Sequence, residues 1–221
     1  MNKKVQISDS LSCGILLALS GGCMDAYSYL FRDKVFANAQ TGNMLLLGVN
    51  LASGNFKEMI IYFWPVLAFI LGIVISDIIK HNTGFTGMHW RQISVGVEAI
   101  FLLSVAFIPQ AYNILANSLI SFACGIQVES FRKIHGNAIA TTMCIGNLRS
   151  GMFNFDEYIR TGNKKNLKSS ILYFIIIFAF VAGAVVESLM LKLFGSFSII
   201  MSVLLLIVAL LIMFQSKPTE Y

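Results

Sequence analysis

Long runs of apolar residues constrain this chain more than any other feature of its sequence. Six of them approach the roughly 20 residues that an α-helix needs to cross a bilayer core. They cover approximately residues 11–31, 58–80, 91–108, 113–131, 169–193 and 197–214. Only 12% of the 221 residues are charged, against about a quarter in soluble domains. We therefore predict a single all-α integral membrane domain over residues 1–221.

Two further segments are moderately apolar and are interrupted by polar residues near their starts. They span residues 36–54 and 137–153 and are rich in Gly, Asn, Thr and Ser. Irregular backbone at membrane depth is tolerated only against protein or a water-filled cavity. We predict that both segments are broken or re-entrant, with Thr41 or Asn43 as the N-cap of a short helix in the first.

The two halves of the chain are related in sequence. Pairs at an offset of 104 residues are Asp25 and Glu129, Gly42 and Gly146, and Asn43 and Asn147; a pair at an offset of 111 is Gly72 and Gly183. The chain therefore divides into a first repeat at about 11–110 and a second at about 113–215. Each repeat contains a helix, a broken segment and two further helices.

The distribution of Lys and Arg distinguishes two topologies. If all eight segments cross and the N-terminus is cytoplasmic, nine basic residues lie inside and seven outside. If the broken segments return to the side they left, twelve lie inside and four outside, which fits the positive-inside rule much better. The sequence thus predicts six transmembrane helices in two inverted-topology repeats, placed in the cell membrane with both termini cytoplasmic.

Polar residues of the broken segments form the first candidate site. A helix that starts at the membrane midplane presents partial positive charge and free N–H donors, which suit an anion or another polar solute. Close packing of small residues is the alternative explanation for the Gly and Thr. The candidate substrate-binding residues in these segments are Asn38, Thr41, Gly42, Asn43, Thr141, Thr142, Gly146 and Asn147.

Acidic residues inside the predicted helices form the second candidate set. A carboxylate inside a bilayer costs roughly 3 kcal/mol, so Asp25 and Glu129 are expected to carry a proton, coordinate a cation or pair with an Arg. Gln127 would add a polar contact to this substrate site. A structural ion pair or an interfacial position is the alternative, which we favour for Glu187 because it lies nearer a helix end. Both explanations stay open for Glu98.

The sequence offers no recognisable catalytic or metal-binding set. Its four Cys and three His form no CxxC or HExxH motif, and GxSxG and Walker lysine motifs do not occur. We therefore expect no catalytic residues, no metal and no cofactor. The net charge of +5 comes from Lys and Arg that flank helices, which argues against a nucleic-acid partner.

A distinctive pattern runs through both halves. The first half carries Gly21-Gly22-Cys23-Met24-Asp25-Ala26, then Phe36-x-x-Asn38-x-x-Thr41-Gly42-Asn43 and Leu47-Gly48. The second half carries Gly125-x-Gln127, Arg132, Thr141-Thr142 and Gly146-x-Leu148. Together these motifs resemble the YoaK-type family of small bacterial membrane proteins, which has a domain of unknown function. Glu129 departs from the pattern, since a neutral residue is expected there. The resemblance implies a multi-pass membrane protein and no particular substrate.

The leading hypothesis is a small secondary transporter or channel for a polar or anionic solute, bound near the midplane between the two broken segments. One alternative is a substrate-binding membrane subunit of a larger transport complex. A membrane-embedded lipid enzyme is less favoured, because the chain lacks a nucleophile–base or metal set. The expected partners are membrane lipids, the solute, and either a second copy of the chain or a transport-complex partner.

Overall fold

The computed structural model describes residues 7–82 and 89–215, and this part of the chain is almost entirely helical. Its α-helices are α1 (Leu11–Phe31), α2 (Gln40–Ala52), α3 (Phe56–Asn82), α4 (Trp90–Val105), α5 (Asn113–Ser130), α6 (Cys144–Thr161), α7 (Lys164–Phe194) and α8 (Ile200–Phe214). A small antiparallel hairpin, β1 (Lys133–Ile134) and β2 (Asn137–Ala138), lies between α5 and α6. Both termini, predicted to be cytoplasmic, lie outside the described residues.

Four helical stretches among the described residues are long and apolar enough to cross a bilayer. They are Leu11–Phe31, Phe56–Asn82, Gln110–Ser130 and Lys164–Phe214. The last is 51 residues long and contains both α7 and α8, whereas α4 has 16 residues and falls below this length. An all-α membrane protein is therefore the fold class, as the apolar runs predicted.

The short helices of the broken segments differ in detail from the prediction. The N-cap of α2 is Ala39, so the prediction that Thr41 or Asn43 would cap this helix is wrong. α6 continues to Thr161, well beyond residue 153, and ends at Gly162, whose φ of 68° is the left-handed conformation typical of a helix C-terminus. α2 has 13 residues and rises about 20 Å, less than the thickness of a bilayer core.

Contacts at the two ends of the bundle fix the directions of several helices. At one end Asp9 pairs with Arg91 at 2.6 Å, and its carbonyl accepts from the backbone N–H of His135. At the other end Arg32 donates to the Val105 carbonyl and to Asn113 Oδ1. α1 and α4 therefore run in one direction and α5 runs in the opposite one. We call these ends the Asp9 end and the Arg32 end.

Glycines bring two pairs of helices into backbone contact. A methyl group on Gly22 would collide with the Phe180 carbonyl where α1 crosses α7, and one on Gly125 would collide with the Phe69 carbonyl where α5 crosses α3. Small residues at such crossings let membrane helices approach closely. Along these contacts α7 runs parallel to α1, because Gly14 lies near Ile176 and Cys23 donates to the Gly183 carbonyl.

α3 likewise runs parallel to α5. Gly72 on α3 meets the Phe122 carbonyl on α5. Further along both helices, Ser76 and Ser130 share a hydrogen bond of 2.9 Å. α3 therefore starts at the Arg32 end, where α1 also ends. By the same reasoning α7 starts at the Asp9 end, where α5 ends.

Arg32 is completely buried at the end of α1 and connects three helices. Its guanidinium donates to the Tyr27 hydroxyl, to Asn113 Oδ1, and to the carbonyls of Val105, the last residue of α4, and Ile108, just beyond it. A cation at a helix C-terminus is stabilised by the free carbonyls and by the helix dipole. The chain reversals at this end are therefore held by a buried charge rather than by loop packing alone.

Candidate functional site

The two broken segments meet beside Gly21, the central residue of the 21-residue helix α1. Asn38, from the first segment, donates through Nδ2 to the Gly21 carbonyl at 2.7 Å. Thr141 and Thr142, from the second, lie so close that a methyl group on Gly21 would approach Thr142 Cγ2 to 2.9 Å. We call this place the Gly21 site.

Asn43 and Asn147 anchor the two segments in the same way. Asn43 accepts from the Phe36 N–H at 3.2 Å and donates to the Phe36 carbonyl at 2.6 Å. Asn147 accepts from the Ala140 N–H at 3.3 Å and donates to the Ala140 carbonyl at 2.6 Å. Both side chains are buried and use their amide groups to satisfy the backbone before a helix start. We call them the Asn clamps.

Asp25 supports the first broken segment from α1. Its Oδ1 accepts from the Asn38 N–H at 2.8 Å, and the residue is partly exposed, whereas its neighbours on α1 are buried. Asp25 therefore holds the backbone immediately before α2, where the partial positive charge of the helix start favours a carboxylate.

Gln127 reaches the Gly21 site from α5. Its Nε2 donates to the Leu17 carbonyl at 3.0 Å and to Thr141 Oγ1 at 2.8 Å. Cys124, one turn earlier on α5, contacts Thr142 Oγ1 at 3.9 Å. The site therefore combines residues from α1, α5 and both broken segments.

Two amide oxygens in this region have no hydrogen-bond partner within the described part of the chain. They are Oδ1 of Asn38 and Oε1 of Gln127, whose side chains are 1% and 0% exposed. Leaving a buried polar atom without a partner costs about 1–3 kcal/mol. Such atoms are candidate contacts for a ligand or an ordered water.

Several residues predicted from the sequence lie away from the Gly21 site. Thr41 is exposed, Gly42 packs against the Phe36 ring, and Gly146 faces open space. Glu129 lies in the last turn of α5 and pairs with Arg132. These four residues make no contact that would place them in the site.

The structure also corrects the pairing of Asp25 with Glu129. Gly22 and Gly125 occupy corresponding positions at the two helix crossings, since each meets a Phe carbonyl 111 residues apart in the chain, Phe180 and Phe69. The offset between α1 and α5 is therefore 103 rather than 104. Asp25 corresponds to an apolar position, Val128, and the extra residue of the second half is absorbed before Asn147.

Sequence reasoning missed one polar residue of this region and misjudged another. Gln40, the first residue of α2, is 6% exposed and donates to the Ala37 carbonyl and to Ser121 Oγ. The sequence signal for Gln40 was its position within the polar run at residues 38–43. For Glu187 the sequence favoured a structural ion pair or an interfacial position, but α7 extends to Phe194, the side chain is completely buried and no ion pair is formed with it among the described residues.

Glu98 and Glu187 are both completely buried, and neither carboxyl group has a hydrogen-bond partner among the described residues. Glu98 lies on α4 and, like Asp25, is close enough to Cys124 to interact with its thiol electrostatically. Glu187 lies on α7 and interacts in the same way with Cys23. An unpaired carboxylate in the interior is very costly, so such groups are candidates for binding a proton.

The sequence profile of one family, described as "Protein of unknown function (DUF1275)", matches residues 13–212. The chain belongs to this family. It is also 25% identical over 186 residues to the UPF0700 transmembrane protein YoaK of Bacillus subtilis (strain 168), over 79% of this chain and 80% of that protein. No solved structure matches the chain significantly. The YoaK-type resemblance of the sequence motifs is thereby confirmed.

A surface groove lies outside the Gly21 site of this DUF1275 protein. A groove of about 530 Å³ opens between α3 and the start of α5, beside Trp64, Asn113 and Ser118, and none of the predicted site residues lines it. Within residues 7–82 and 89–215, no group of three or more His, Cys, Asp or Glu is placed to hold a metal ion.

Proposed function

We propose that the protein is a small secondary transporter or channel for a polar solute, which binds at the Gly21 site. One observation carries the proposal: two broken segments from different halves meet at the midpoint of α1 and bury polar groups whose oxygens are unpaired. A protein that only packed its helices would gain stability by replacing these groups with apolar ones. Paired breaks in corresponding segments are also typical of transporter binding sites.

The proposed topology has six crossing helices and two re-entrant segments. It is supported by helix direction, since α3 starts at the end where α1 stops and α7 starts at the end where α5 stops. It is also supported by the helix contacts, because α1 packs on α7 as α5 packs on α3, and α1 packs on α8 as α5 packs on α4. In this topology the two halves are inverted repeats that exchange partners across the molecule.

The proposed orientation places the Asp9 end in the cytoplasm. Lys80, Arg91, Arg132, Arg160 and Lys164 belong to helix ends or loops on that side. The excess of Lys and Arg near one end is what the positive-inside rule requires of the cytoplasmic face.

The described conformation corresponds to a closed state in this proposal. Asn38, Gln127, Thr141 and Thr142 are all buried, and Asp25 is the partly exposed group beside them. Access to the site then requires movement of one broken segment or of one group of helices against another, as in transporters built from inverted repeats. In this proposal Asp25 carries the charge at the binding site, and Glu98 is a group in the interior that binds a proton.

Transport can be tested with purified protein in liposomes. We expect solute-dependent flux from a metabolite panel, at least about tenfold weaker in Asp25→Asn and in Asn38→Ala, because each change removes a group of the Gly21 site. Asn50→Ala is the matched control, since Asn50 donates only to the Leu46 carbonyl of its own helix and lies outside the site.

Flux that is equal in wild type, Asp25→Asn and Asn38→Ala would remove this site from the proposal. Solute binding without flux would instead favour the alternative function, a substrate-binding subunit of a larger transport complex. Co-purification of a partner in fixed stoichiometry would then be the supporting observation.

A further inference from the structure

The polar groups at the Gly21 site differ in which hydrogen-bonding capacity they leave unused. Both amide nitrogens have partners, because Asn38 Nδ2 donates to the Gly21 carbonyl and Gln127 Nε2 donates to the Leu17 carbonyl and Thr141 Oγ1. The acceptors Asn38 Oδ1 and Gln127 Oε1 have no partner among the described residues. These two buried oxygens are therefore the amide atoms that remain available to a ligand.

The orientation of both amides follows from their partners. Each amide nitrogen faces a backbone carbonyl on α1, and a carbonyl oxygen can only accept. Turning either amide over would place two oxygens against each other and lose the bonds of 2.7 Å and 3.0 Å. The two oxygens must therefore point away from α1.

The two amides are also neighbours along α1. Leu17 and Gly21, whose carbonyls they bind, are four residues apart, which is about 6 Å of helix rise. Thr141 and Thr142 lie beside the same stretch and add side-chain oxygens. Oxygens from three parts of the chain thus lie along the same stretch of α1.

The position that an anion would prefer is already occupied. A helix N-terminus attracts negative charge, but Asp25 already accepts from the Asn38 N–H immediately before α2. A bound anion there would meet this carboxylate at close range, and like charges in a low-dielectric interior repel strongly. The start of α2 therefore compensates Asp25 rather than offering a free anion site.

We infer that the Gly21 site recognises a compact positive charge, carried by an alkali cation or by a protonated amine. This inference rests on the proposed function and names its ligand class. The ligand is held by Asn38 Oδ1, Gln127 Oε1 and the Asp25 carboxylate, and the side-chain oxygens of Thr141 and Thr142 are further ligands. Oxygen ligands suit hard cations, and an ammonium group has only donors, so both sources share this chemistry.

Thermal unfolding of the detergent-purified full chain tests the ligand class at constant ionic strength. Sodium, potassium, ammonium and methylammonium chloride are compared with choline chloride, whose bulky cation does not fit. Sodium chloride, acetate and phosphate are compared with one another. We expect one or more small cations to raise Tm by about 5 °C at a hundredfold excess over Kd, with no dependence on the anion.

The cation series separates the two sources of the charge. Stabilisation by sodium or potassium indicates an alkali-ion site, and stabilisation by ammonium and methylammonium alone indicates an amine site. Either outcome supports the inference. A Tm that follows the anion, or that rises equally with choline, overturns it, and so does a Tm independent of all salts, because ordered water then satisfies the two oxygens.

Matched variants connect the effect to the site. Gln127→Met is expected to abolish the cation-dependent rise in Tm, because it removes Oε1 at nearly constant shape. Gln92→Met is the control: Gln92 is also buried, but its Oε1 accepts from the His89 N–H and its Nε2 donates to the Met213 carbonyl. We expect this control to have a lower basal Tm and an unchanged cation response. A cation response retained in Gln127→Met overturns the assignment.

The outcome is separable from that of the proposed function. Cation-specific stabilisation without flux in liposomes would refute transport and leave the ligand class standing. Flux of an anionic solute that is lost in Asp25→Asn or Asn38→Ala would refute the ligand class and leave transport at the Gly21 site standing.

Discussion

At the scale of single residues, the polar groups of the broken segments divide into anchors and unpaired groups. Asn43 and Asn147 have both amide atoms bound to backbone, whereas Asn38 has only its nitrogen bound. A residue whose hydrogen bonds are satisfied within the protein has little left to offer a solute. The Asn clamps therefore hold the segments in place, and Asn38 is the stronger candidate for binding.

This division predicts different consequences for two Asn residues of α2. Asn43→Ala leaves the N–H and carbonyl of Phe36 without their partner, so we expect a loss of about 2–4 kcal/mol in unfolding free energy. For a chain of this size, that corresponds to a fall in Tm of roughly 5–10 °C. Thermal unfolding followed by circular dichroism in detergent measures the change.

Asn147→Ala should behave like Asn43→Ala, because its bonds to Ala140 have the same pattern. Asn50→Ala serves as the comparison and should change stability by no more than about 0.5 kcal/mol, since Asn50 donates only within its own helix. Equal stability of all three variants would contradict an anchoring role for the clamps.

The sequence could predict where these residues lie but not what each side chain does. The Gly-Asn pairs indicated two segments with polar starts, and in the structure Asn43 and Asn147 each bind the backbone a few residues before their own positions. Whether an Asn faces a ligand or its own backbone depends on the path of the preceding loop, and no local pattern encodes that path. The offset of Asp25 from Glu129 failed for a related reason, because one extra residue before Asn147 changes the register without changing either motif.

At the scale of helices, close crossings replace the hydrophobic effect as the source of association. Lipid tails are as apolar as Leu side chains, so membrane helices gain stability from close packing instead. Gly22 and Gly183 serve the α1–α7 crossing, and Gly125 and Gly72 serve the α3–α5 crossing. Each crossing thus has one glycine on each helix, placed against a backbone carbonyl of the other helix.

The crossings predict opposite effects for the same substitution at different glycines. Gly22→Ala places a methyl group against the Phe180 backbone, which cannot move aside as a flexible side chain can, so we expect a loss of about 1–3 kcal/mol. Gly96→Ala, within α4, meets nothing within 4 Å and should raise stability by up to about 1 kcal/mol through helix propensity. Denaturant-induced unfolding in mixed micelles would compare the two variants. A stable Gly22→Ala would show that α1 and α7 can separate without cost.

Helix existence was predictable and helix ends were less so. Runs of apolar residues indicated the long helices because the bilayer sets a minimum length for a crossing segment. The start of α2 was misplaced because its N-cap, Ala39, has no capping side chain. The start of α7 was misplaced because a helix can extend into water beyond its apolar part. Lys164 to Lys168 form the polar first turn of α7, and Asn163 caps it by accepting from the Lys165 N–H.

At the scale of the whole molecule, contacts between helices α1–α4 and helices α5–α8 hold the bundle together. The first helix of each half packs mainly on helices of the other half. Helix α1, in the first half, packs on α7 and α8, and helix α5, in the second half, packs on α3. Neither half could bury its glycine crossings alone. We therefore expect each moving unit to contain helices from both halves of the chain.

The proposed topology predicts which loops share a side of the membrane. In a cysteine-free background, single cysteines at Lys34 and Ser53 flank α2, and cysteines at Ala138 and Asn163 flank α6; the native residues are exposed. If both segments are re-entrant, each pair lies on one side and the two pairs lie on opposite sides. We expect a membrane-impermeant maleimide to label Lys34→Cys and Ser53→Cys in intact cells, and Ala138→Cys and Asn163→Cys only after permeabilisation. A cysteine at Gln110, between α4 and α5, should be labelled with the first pair.

The topology is wrong if Lys34→Cys and Ser53→Cys are labelled from different sides, because α2 then crosses the membrane. The first repeat would have four crossings, and the two halves would no longer be inverted. The common midplane site depends on that inversion and would be lost with it.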